Sequence, residues 1–357
     1  MKKLLKGLLA ATMMLGLTAC GGSGDENNED ATKVAILLPY IGDQSYLDVT
    51  ANAKVLLEEK YGDAIEVNVV EMGKGEADWE PANRLAAGEG YDIIVSGNWN
   101  YETAMLTVAK DNPQIKYLNF DYSNAELNSL ENVYALTYAA HEIGYLTGVV
   151  AAVKSKSGII GGVVGQNNAG LNQFMAGYIQ GASDVNKDIK VIISYVGSFE
   201  DAPKGKEISN QMIQQGADVI WGCAGGSGNG VFEAAAEHEG VWALGVDTDQ
   251  YLSMSAKPEL ANVILTSGLK KIDVAITNAI GQIMEGTAPF GTQEILGYAD
   301  GAIGLAENDF YKANMTEEEL ATVKTYADKV LNGETKVVDE LTQPGVFEQY
   351  YNQYGLK

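Results

Sequence analysis

Residues 33–70, KVAILLPYIGDQSYLDVTANAKVLLEEKYGDAIEVNVV, contain the pattern that decides the fold. Val34–Leu38 and Glu66–Val70 are short apolar runs, which favour buried β-strands. Between them, Asp48–Lys60 has the apolar spacing of an amphipathic helix. Strand, helix and strand in a unit of this size predict parallel strands, because parallel strands need a crossover that is usually a helix.

Short apolar runs recur at intervals of about 25 to 30 residues, with helical patterns between them. Several runs are apolar at every position, as expected for parallel strands covered on both faces. Two series of five strands are predicted, near Val34–Leu38, Glu66–Val70, Tyr91–Val95, Ile115–Phe120 and Val133–Leu136, then near Gly158–Val164, Lys190–Tyr195, Val219–Gly222, Val241–Gly245 and Val263–Leu265. The predicted fold class is therefore α/β, with two similar lobes.

The chain is expected to cross between the two lobes more than once. His141–Val153 is predicted to be the helix that opens lobe 2, and Thr266–Met284 is predicted to return to lobe 1. The resulting assignment is residues 33–140 and about 266–290 for lobe 1, about 141–265 and 291–335 for lobe 2, and 336–357 for a C-terminal tail.

The first nineteen residues have the features of an export signal. Lysines precede the mostly apolar stretch Gly7–Leu17, which is about half as long as a membrane-spanning helix. Leu17-Thr18-Ala19-Cys20 resembles the lipobox of bacterial lipoproteins, in which the cysteine becomes the lipidated first residue. We therefore expect a signal peptide over residues 1–19, then lipidated Cys20 with a flexible tether to residue 32, which places the globule on the extracytoplasmic face of the cell membrane. Cleavage after Ala19 in an ordinary secreted protein is the alternative.

The charge balance excludes a nucleic-acid binder. The sequence has 48 Asp and Glu against 24 Lys and Arg, a formal net charge of −24, and Arg84 is its only arginine. A polyphosphate backbone requires clustered Lys and Arg. The same deficit disfavours multiply phosphorylated ligands.

Sequence motifs for catalysis or for a cofactor are not found. His141 and His238 have no second ligand at metal spacing, and there is no G-x-S-x-G elbow. The glycine run Ala224–Gly230 lacks the Lys-Ser/Thr of a phosphate-binding loop. We expect no cofactor, no metal and no enzyme activity, and hydrolysis of a glycosidic bond is the one enzyme class that stays open.

Candidate ligand-binding residues follow the predicted strands, because ligands bind beyond the carboxyl ends of strands in open α/β sheets. Aromatic residues recur there in both lobes and can hold a flat ring between apolar faces: Tyr46, Trp99 and Trp221. Asp247 ends a strand without an immediate helix, so its carboxylate can accept two hydrogen bonds from a vicinal diol. These residues suit a neutral heterocycle that carries a sugar.

Other strand-end residues have two interpretations. Asp43 and Asp121 can contact a ligand or cap the next helix, and Asn98 lies beside Trp99. Lys270 opens a predicted helix, where a cation opposes the dipole; this favours a role in binding, with a solvated lysine as the alternative.

Six motifs, in order along Lys33 to Ala306, carry a family resemblance that none of them carries alone. They are Gly42–Tyr46 (GDQSY), Glu142–Gly148 (EIGYLTG), Gly197–Glu207 (GSFEDAPKGKE), Ala224–Val231 (AGGSGNGV), Gly245–Tyr251 (GVDTDQY) and Leu265–Lys270 (LTSGLK). Together they resemble the basic membrane protein family of substrate-binding lipoproteins, which includes purine nucleoside receptors of ABC importers.

The resemblance implies a type I periplasmic-binding-protein fold, in which two Rossmann-like lobes joined by a hinge close on a nucleoside. By motif position, Tyr46 and Trp221 resemble the aromatic pair that sandwiches the base. Asp247 and Lys270 match the acid and the lysine that bind the ribose. The further matches at pocket positions are Gly226 and Asp121. Leu38–Ile41 and Leu47 stand where family members carry groups that read the base edge, so the preferred base stays open.

The expected function is therefore a lipid-anchored receptor that binds a nucleoside, with a purine favoured by the resemblance, and delivers it to the permease subunits of an ABC importer. Its expected partners are the ligand, the permease and the membrane. The alternatives are a receptor of the same fold for a sugar, a flavin-like heterocycle or a signalling molecule, a nucleoside hydrolase, and an adhesion or sensor lipoprotein.

Overall fold

A computed structural model describes residues 31–97, 102–121 and 124–356. The expected signal peptide, Cys20 and most of the tether lie outside the described residues, as do Asn98 and Trp99. From the first described strand onward, strands and helices alternate as the sequence predicts.

The strands in the described residues include every one of the ten predicted from the sequence. They are β1 (Thr32–Leu38), β2 (Ile65–Glu71), β3 (Ile93–Val95), β4 (Lys116–Asn119), β5 (Val133–Tyr138), β6 (Ile159–Val164), β7 (Lys190–Tyr195), β8 (Val219–Cys223), β9 (Trp242–Asp247), β10 (Ile264–Lys270), β11 (Thr292–Leu296) and β12 (Ile303–Leu305). The last two were not predicted.

These strands form two six-stranded sheets, ordered β11-β5-β4-β3-β1-β2 in lobe 1 and β12-β10-β9-β8-β6-β7 in lobe 2. Neighbouring strands are parallel, except that β12 is antiparallel to β10. The chain leaves lobe 1 after β5, returns after β10 and crosses again between β11 and β12. The structure confirms the predicted α/β fold with two parallel-sheet lobes.

The α-helices of the described residues lie between the strands and after them. They are α1 (Tyr46–Tyr61), α2 (Glu76–Gly88), α3 (Glu102–Asp111), α4 (Ala125–Asn128), α5 (Ala140–Lys154), α6 (Ala169–Val185), α7 (Ala202–Gln214), α8 (Asn229–Ala236), α9 (Gln250–Ser253), α10 (Pro258–Ala261), α11 (Ile272–Glu285), α12 (Asp309–Asn314), α13 (Glu317–Leu331) and α14 (Val346–Tyr354).

Helices cover both faces of each sheet. In β1, Ile36 packs in a core that includes α1 and α11, whereas its neighbour Leu37 packs in a core that includes α2 and α3. Successive strand residues point to opposite faces. The continuous apolar runs of the sequence follow from this arrangement, because both faces of each strand are buried.

Helices α5 and α6 pack with their backbones in close contact. Glycines face the partner helix on both sides, and a Cβ added at Gly144 would lie 2.0 Å from the carbonyl oxygen of Phe174, whereas one added at Gly177 would lie 2.0 Å from that of His141. Only glycine fits at these two positions. This packing fixes the start of α6, including Phe174, relative to the end of β5.

Two boundaries differ from those expected. All of β10 belongs to the lobe 2 sheet, so the return to lobe 1 begins after Lys270 rather than near residue 266. Strand β11 joins the lobe 1 sheet, although the sequence assigned residues 291–335 to lobe 2. The tail also folds onto lobe 2, where α14 packs against α6 and β7.

Candidate functional site

A cleft of about 770 Å³ lies between the lobes at the carboxyl ends of the strands. Its lining includes residues that follow β1 and β4 and the last residues of β9 and β10, as expected for an open α/β sheet. The volume is in the range of small-molecule sites. The cleft brings together predicted residues from both lobes: Asp43, Tyr46, Asp121, Asp247 and Lys270.

Lys270, the last residue of β10, forms a buried ion pair across the cleft. Its Nζ lies 2.8 Å from Oδ2 of Asp121, which follows β4 of lobe 1. Burial alone lowers the pKa of Lys270, but the carboxylates of Asp121 and Asp247 raise that pKa above its ordinary value. Lys270 therefore stays protonated in the interior and is not a solvated surface lysine.

Aromatic rings surround the same ammonium group. The Nζ of Lys270 lies 5.1 Å from the ring centroid of Phe174, 5.4 Å from that of Tyr138 and 5.6 Å from that of Tyr46. Tyr46 is itself backed by the buried ring of Phe120, with centroids 6.1 Å apart. A cation held over aromatic faces gains electrostatic stabilisation, so the lysine and the rings fix one another at the wall of the cleft.

Asp247 ends β9 with its carboxylate in the cleft. Its Oδ2 accepts a hydrogen bond of 2.9 Å from Oγ of Ser45, which belongs to the other lobe. Burial raises the pKa of Asp247 to about 6, although Lys270 and Ser45 lower it. The backbone of Asp247 is in the left-handed region, with φ of 67°, as is that of Gln44 with φ of 59°. Such strained backbone is often found at ligand sites.

Asp43 has a structural task as well as a place in the cleft wall. Its carboxylate accepts hydrogen bonds from the backbone N–H groups of Ser45, Leu47 and Asp48 at 2.9 to 3.1 Å. It therefore provides acceptors for N–H groups at the start of α1 that have no partner within the helix. Burial raises the pKa of Asp43 while these hydrogen bonds lower it, and the pKa remains above its ordinary value. Capping and ligand contact are therefore compatible for this residue.

The acidic side chains outnumber the cations in this part of the cleft. Asp43, Asp121 and Asp247 are all buried or half-buried in the lining, where Lys270 pairs with one of them. Burial also raises the pKa of Asp121, against the opposing effect of Lys270. A site of this kind favours neutral ligands that donate hydrogen bonds, and it repels anions.

Trp221 does not line the cleft, so the expected pairing of Tyr46 with Trp221 across a bound ring is wrong. The Trp221 side chain is fully buried inside lobe 2, and its Nε1 donates to the carbonyl oxygen of Gly245 at 2.9 Å. Its ring contacts those of Phe174 and Tyr178, with centroids 6.0 and 5.2 Å apart. Phe174 lines the cleft and Trp221 does not, because Phe174 on α6 packs against the ring of Trp221, which is in β8.

Phe199 is an aromatic residue of the cleft that was not predicted as a site residue. It follows β7, and its ring packs so closely on the chain that a Cβ at Gly165 would lie 2.2 Å from Cε1 of Phe199. A Cβ at Gly226 would lie 3.1 Å from the carbonyl oxygen of Phe199 and 3.9 Å from Cα of Asp43. Gly226 thus lies where the two lobes approach, beside the lining residue Gly225. The signal for Phe199 was its place in the motif GSFEDAPKGKE.

The outer end of the cleft is closed by a second ion pair. Lys74 of lobe 1 pairs with Glu200 of lobe 2, and Nζ of Lys74 lies 4.2 Å from the ring centroid of Tyr40. All three residues line the cleft. The sequence does not indicate that Lys74 and Glu200 form a pair, because they lie 126 residues apart.

Two kinds of feature are absent from the described part of the chain. None of its helices combines the length and apolar character needed to span a membrane. Among these same residues, no three or more His, Cys, Asp and Glu side chains are grouped so that they can hold a metal ion.

Comparisons with known proteins agree with this geometry. The family model described as Bmp, ABC transporter substrate-binding protein PnrA-like, matches residues 31–337. The chain is 29% identical over 355 residues to a CD4+ T-cell-stimulating antigen of Listeria innocua, with 93% of this chain and 96% of that protein covered. It is 32% identical over 281 residues to an ABC transporter nucleoside-binding protein BmpA of Lactococcus lactis, with 75% of each covered.

Solved structures of solute-binding proteins share the fold of this chain. The chain is similar to the crystal structure of an ABC transporter solute-binding protein from Aeropyrum pernix, with a TM-score of 0.77 and 25% identity. The match covers 90% of this chain and 98% of that one.

Proposed function

The chain belongs to the family of PnrA-like ABC transporter substrate-binding proteins, and from this premise we propose that it binds a nucleoside in the cleft between its lobes and delivers it to a membrane permease. Closure of the lobes about the hinge would bury the ligand, as in other two-lobed receptors.

The buried cluster of Lys270, Asp121 and Asp247 is the observation that carries this proposal. A ribose presents vicinal hydroxyl groups that donate hydrogen bonds to carboxylates and accept them from an ammonium group. Ser45 already reaches Asp247 from the opposite lobe. A sugar bound here would contact both lobes, so its binding would favour the closed state.

Aromatic side chains provide flat apolar surface for the base. Tyr46, Tyr138, Phe174 and Phe199 line the cleft, with Tyr46 and Tyr138 from lobe 1 and the two phenylalanines from lobe 2. Aromatic rings favour stacked or edge-on contact with a planar heterocycle. In this proposal the phenylalanines take the part that the sequence assigned to Trp221.

The charge of the site supports an unphosphorylated ligand. Arg84, the only arginine of the sequence, is on α2 and paired with Glu80 and Asp111, so no guanidinium group is available in the cleft for bidentate phosphate binding. The relative from Lactococcus lactis is named a nucleoside-binding protein, which agrees with a neutral nucleoside as the ligand.

Isothermal titration calorimetry with purine and pyrimidine nucleosides, free ribose and free bases tests the ligand. We expect saturable binding of at least one nucleoside, weaker binding of ribose and of the base alone, and no release of free base on prolonged incubation. Tight binding of ribose alone would favour a sugar receptor. Release of base would identify a hydrolase, and no binding of any nucleoside at millimolar concentration would end the proposal.

The proposed location rests on Leu17–Cys20 and needs a separate test. We propose that Cys20 carries lipid and holds the protein on the extracytoplasmic face of the membrane. Incorporation of labelled palmitate into the wild-type protein, and its loss in Cys20→Ser, is the expected result. Equal labelling of both proteins, or of neither, would contradict the anchor and leave the ligand proposal untouched.

A further inference from the structure

The C-terminal tail is an integral part of lobe 2. Val346, Phe347 and Tyr354 of α14 are buried, and the ring hydroxyl of Tyr351 accepts a hydrogen bond of 3.4 Å from the backbone N–H of Ile193. The N–H of Leu356 donates to the carbonyl oxygen of Val191 at 3.0 Å. The tail is therefore held at its far end, although the family match stops at residue 337.

The turn that precedes α14 is fixed to the cleft wall. Oδ1 of Asp339 accepts a hydrogen bond of 2.8 Å from Nε2 of Gln173 and one of 2.9 Å from the backbone N–H of Leu341. Gln173 is buried and immediately precedes Phe174, the ring beside Lys270. The carboxylate of Glu340 accepts from the N–H groups of Gly345 and Phe347, each at 2.8 Å, and so closes the turn.

This turn presents Leu341 to the cleft. Of the large apolar side chains left exposed in the described residues, namely Ile41, Val55, Leu85, Leu252, Val274, Ile295, Leu331 and Leu341, only Leu341 lines the cleft. Its side chain is 50% exposed. An exposed apolar group at a concave site loses contact with water when a ligand covers it, and that change favours binding.

We propose that Leu341 is a ligand-contacting residue, supplied by the C-terminal tail, which covers the bound molecule on the Phe174 side of the cleft. Asp339 is its positioning residue, since its carboxylate joins the backbone of Leu341 to Gln173. Because the turn is held by four hydrogen bonds, the contact is available without a large ordering cost. The inference rests on the proposed function for the identity of the ligand.

The test is calorimetry with the nucleoside that the wild-type protein binds most tightly in the panel above. Leu341→Ala should weaken binding about three- to tenfold, because part of the apolar contact is lost. Leu341→Asp should weaken it more than tenfold, because the apolar contact is replaced by a carboxylate that loses its water when the ligand covers it. Leu341→Met should bind as the wild type does.

Leu331 offers a matched control. It is a leucine at the end of α13, is 48% exposed and does not line the cleft. Leu331→Ala and Leu331→Asp should leave the affinity within about twofold of wild type. Thermal unfolding of all variants checks that each one is folded.

A double-mutant cycle separates positioning from general damage. If Asp339 acts through Leu341, Asp339→Ala weakens binding in the wild-type background and has little further effect in the Leu341→Ala background. Nucleoside binding that is unchanged in both Leu341→Ala and Leu341→Asp would overturn the inference and leave the proposed function standing. A wild-type protein that binds no nucleoside would instead remove the proposed function.

Discussion

The two ion pairs that bridge the cleft differ in place and in burial. Lys270 is the last residue before the chain returns to lobe 1, so its pair with Asp121 lies near the hinge that the chain crossings form. The side chains of this pair are 6% and 12% exposed, whereas those of Lys74 and Glu200 are 60% and 40% exposed. The second pair follows β2 and β7, the edge strands of the two sheets on the side away from the crossings. The same pairing chemistry therefore operates in two environments.

Burial decides what each pair can do. A buried charge is costly to desolvate, so removal of its partner leaves a large penalty. An exposed pair is screened by water and salt and contributes little to folding. From this difference we expect the hinge-side pair to matter for stability and ligand binding, and the outer pair to matter mainly for how long the lobes stay closed.

The largest effect is expected from Lys270→Met. This change leaves Asp121 and Asp247 buried without their cation, so the free energy of unfolding should fall by about 3 to 5 kcal/mol near neutral pH. Ligand binding should be lost with it. The loss of stability should be smaller at acidic pH, because burial raises the pKa of both carboxyl groups and their protonation removes the unpaired charges.

Chemical denaturation of Lys270→Met and Lys74→Met measures the contrast directly. Lys74→Met should cost no more than about 1 kcal/mol. If both variants lose the same amount of stability, burial does not distinguish the two pairs.

A second prediction concerns Asp247, whose pKa is raised to about 6. Its ionised form accepts hydrogen bonds from ligand hydroxyl groups, and at pH 5 about one tenth of the groups are ionised. Nucleoside affinity should therefore fall about tenfold from pH 7 to pH 5. Asp247→Asn should bind more weakly at pH 7 and lack most of this pH dependence, which calorimetry at several pH values measures.

The same pKa fixes the sign of an effect on stability. Because the pKa of Asp247 is raised in the folded state, its protonated form stabilises the fold below about pH 4, and this contribution is lost as the pH rises through 6. Asp247→Asn should therefore be more stable than wild type at pH 7 without ligand, by roughly 3 kcal/mol. Equal stability at pH 7 would show that burial of this carboxylate costs little.

The sequence predicted most of the fold because buried parallel strands are continuous apolar runs. VAILL in β1 is such a run. Strands β11 and β12 were missed for the opposite reason: TQEIL in β11 is partly exposed at a sheet edge, and IGL in β12 has three residues. Neither has a period that a short window can detect.

The sequence predicted the site residues that lie at strand ends. It missed the residues whose position depends on packing between distant segments. Asp247 and Lys270 end strands, so the rule for α/β sheets found them. Trp221 was misplaced because only the packing of α6 shows that Phe174 covers it. Leu341 is held at the cleft by Asp339, whose carboxylate is hydrogen-bonded both to Gln173 and to the backbone of Leu341, and no local pattern reveals this long-range bond.

The smallest effect is expected at the outer pair, and it should appear in kinetics. Lys74→Glu and Glu200→Lys each replace attraction between the lobes by repulsion, so the rate of ligand release should rise about two- to fivefold while the free energy of unfolding barely changes. The effect should shrink in high salt, because both side chains are exposed.

The double reversal, Lys74→Glu with Glu200→Lys, should return the release rate most of the way to wild type. The return should be incomplete, because a carboxylate at position 74 cannot replace the ammonium group that now lies over the ring of Tyr40. Reversal of Lys206 and Glu237, which pair at 2.7 Å within lobe 2, is the matched control and should leave release unchanged. If the single reversals at the outer pair also release ligand at the wild-type rate, lobe closure depends on the buried hinge-side contacts alone.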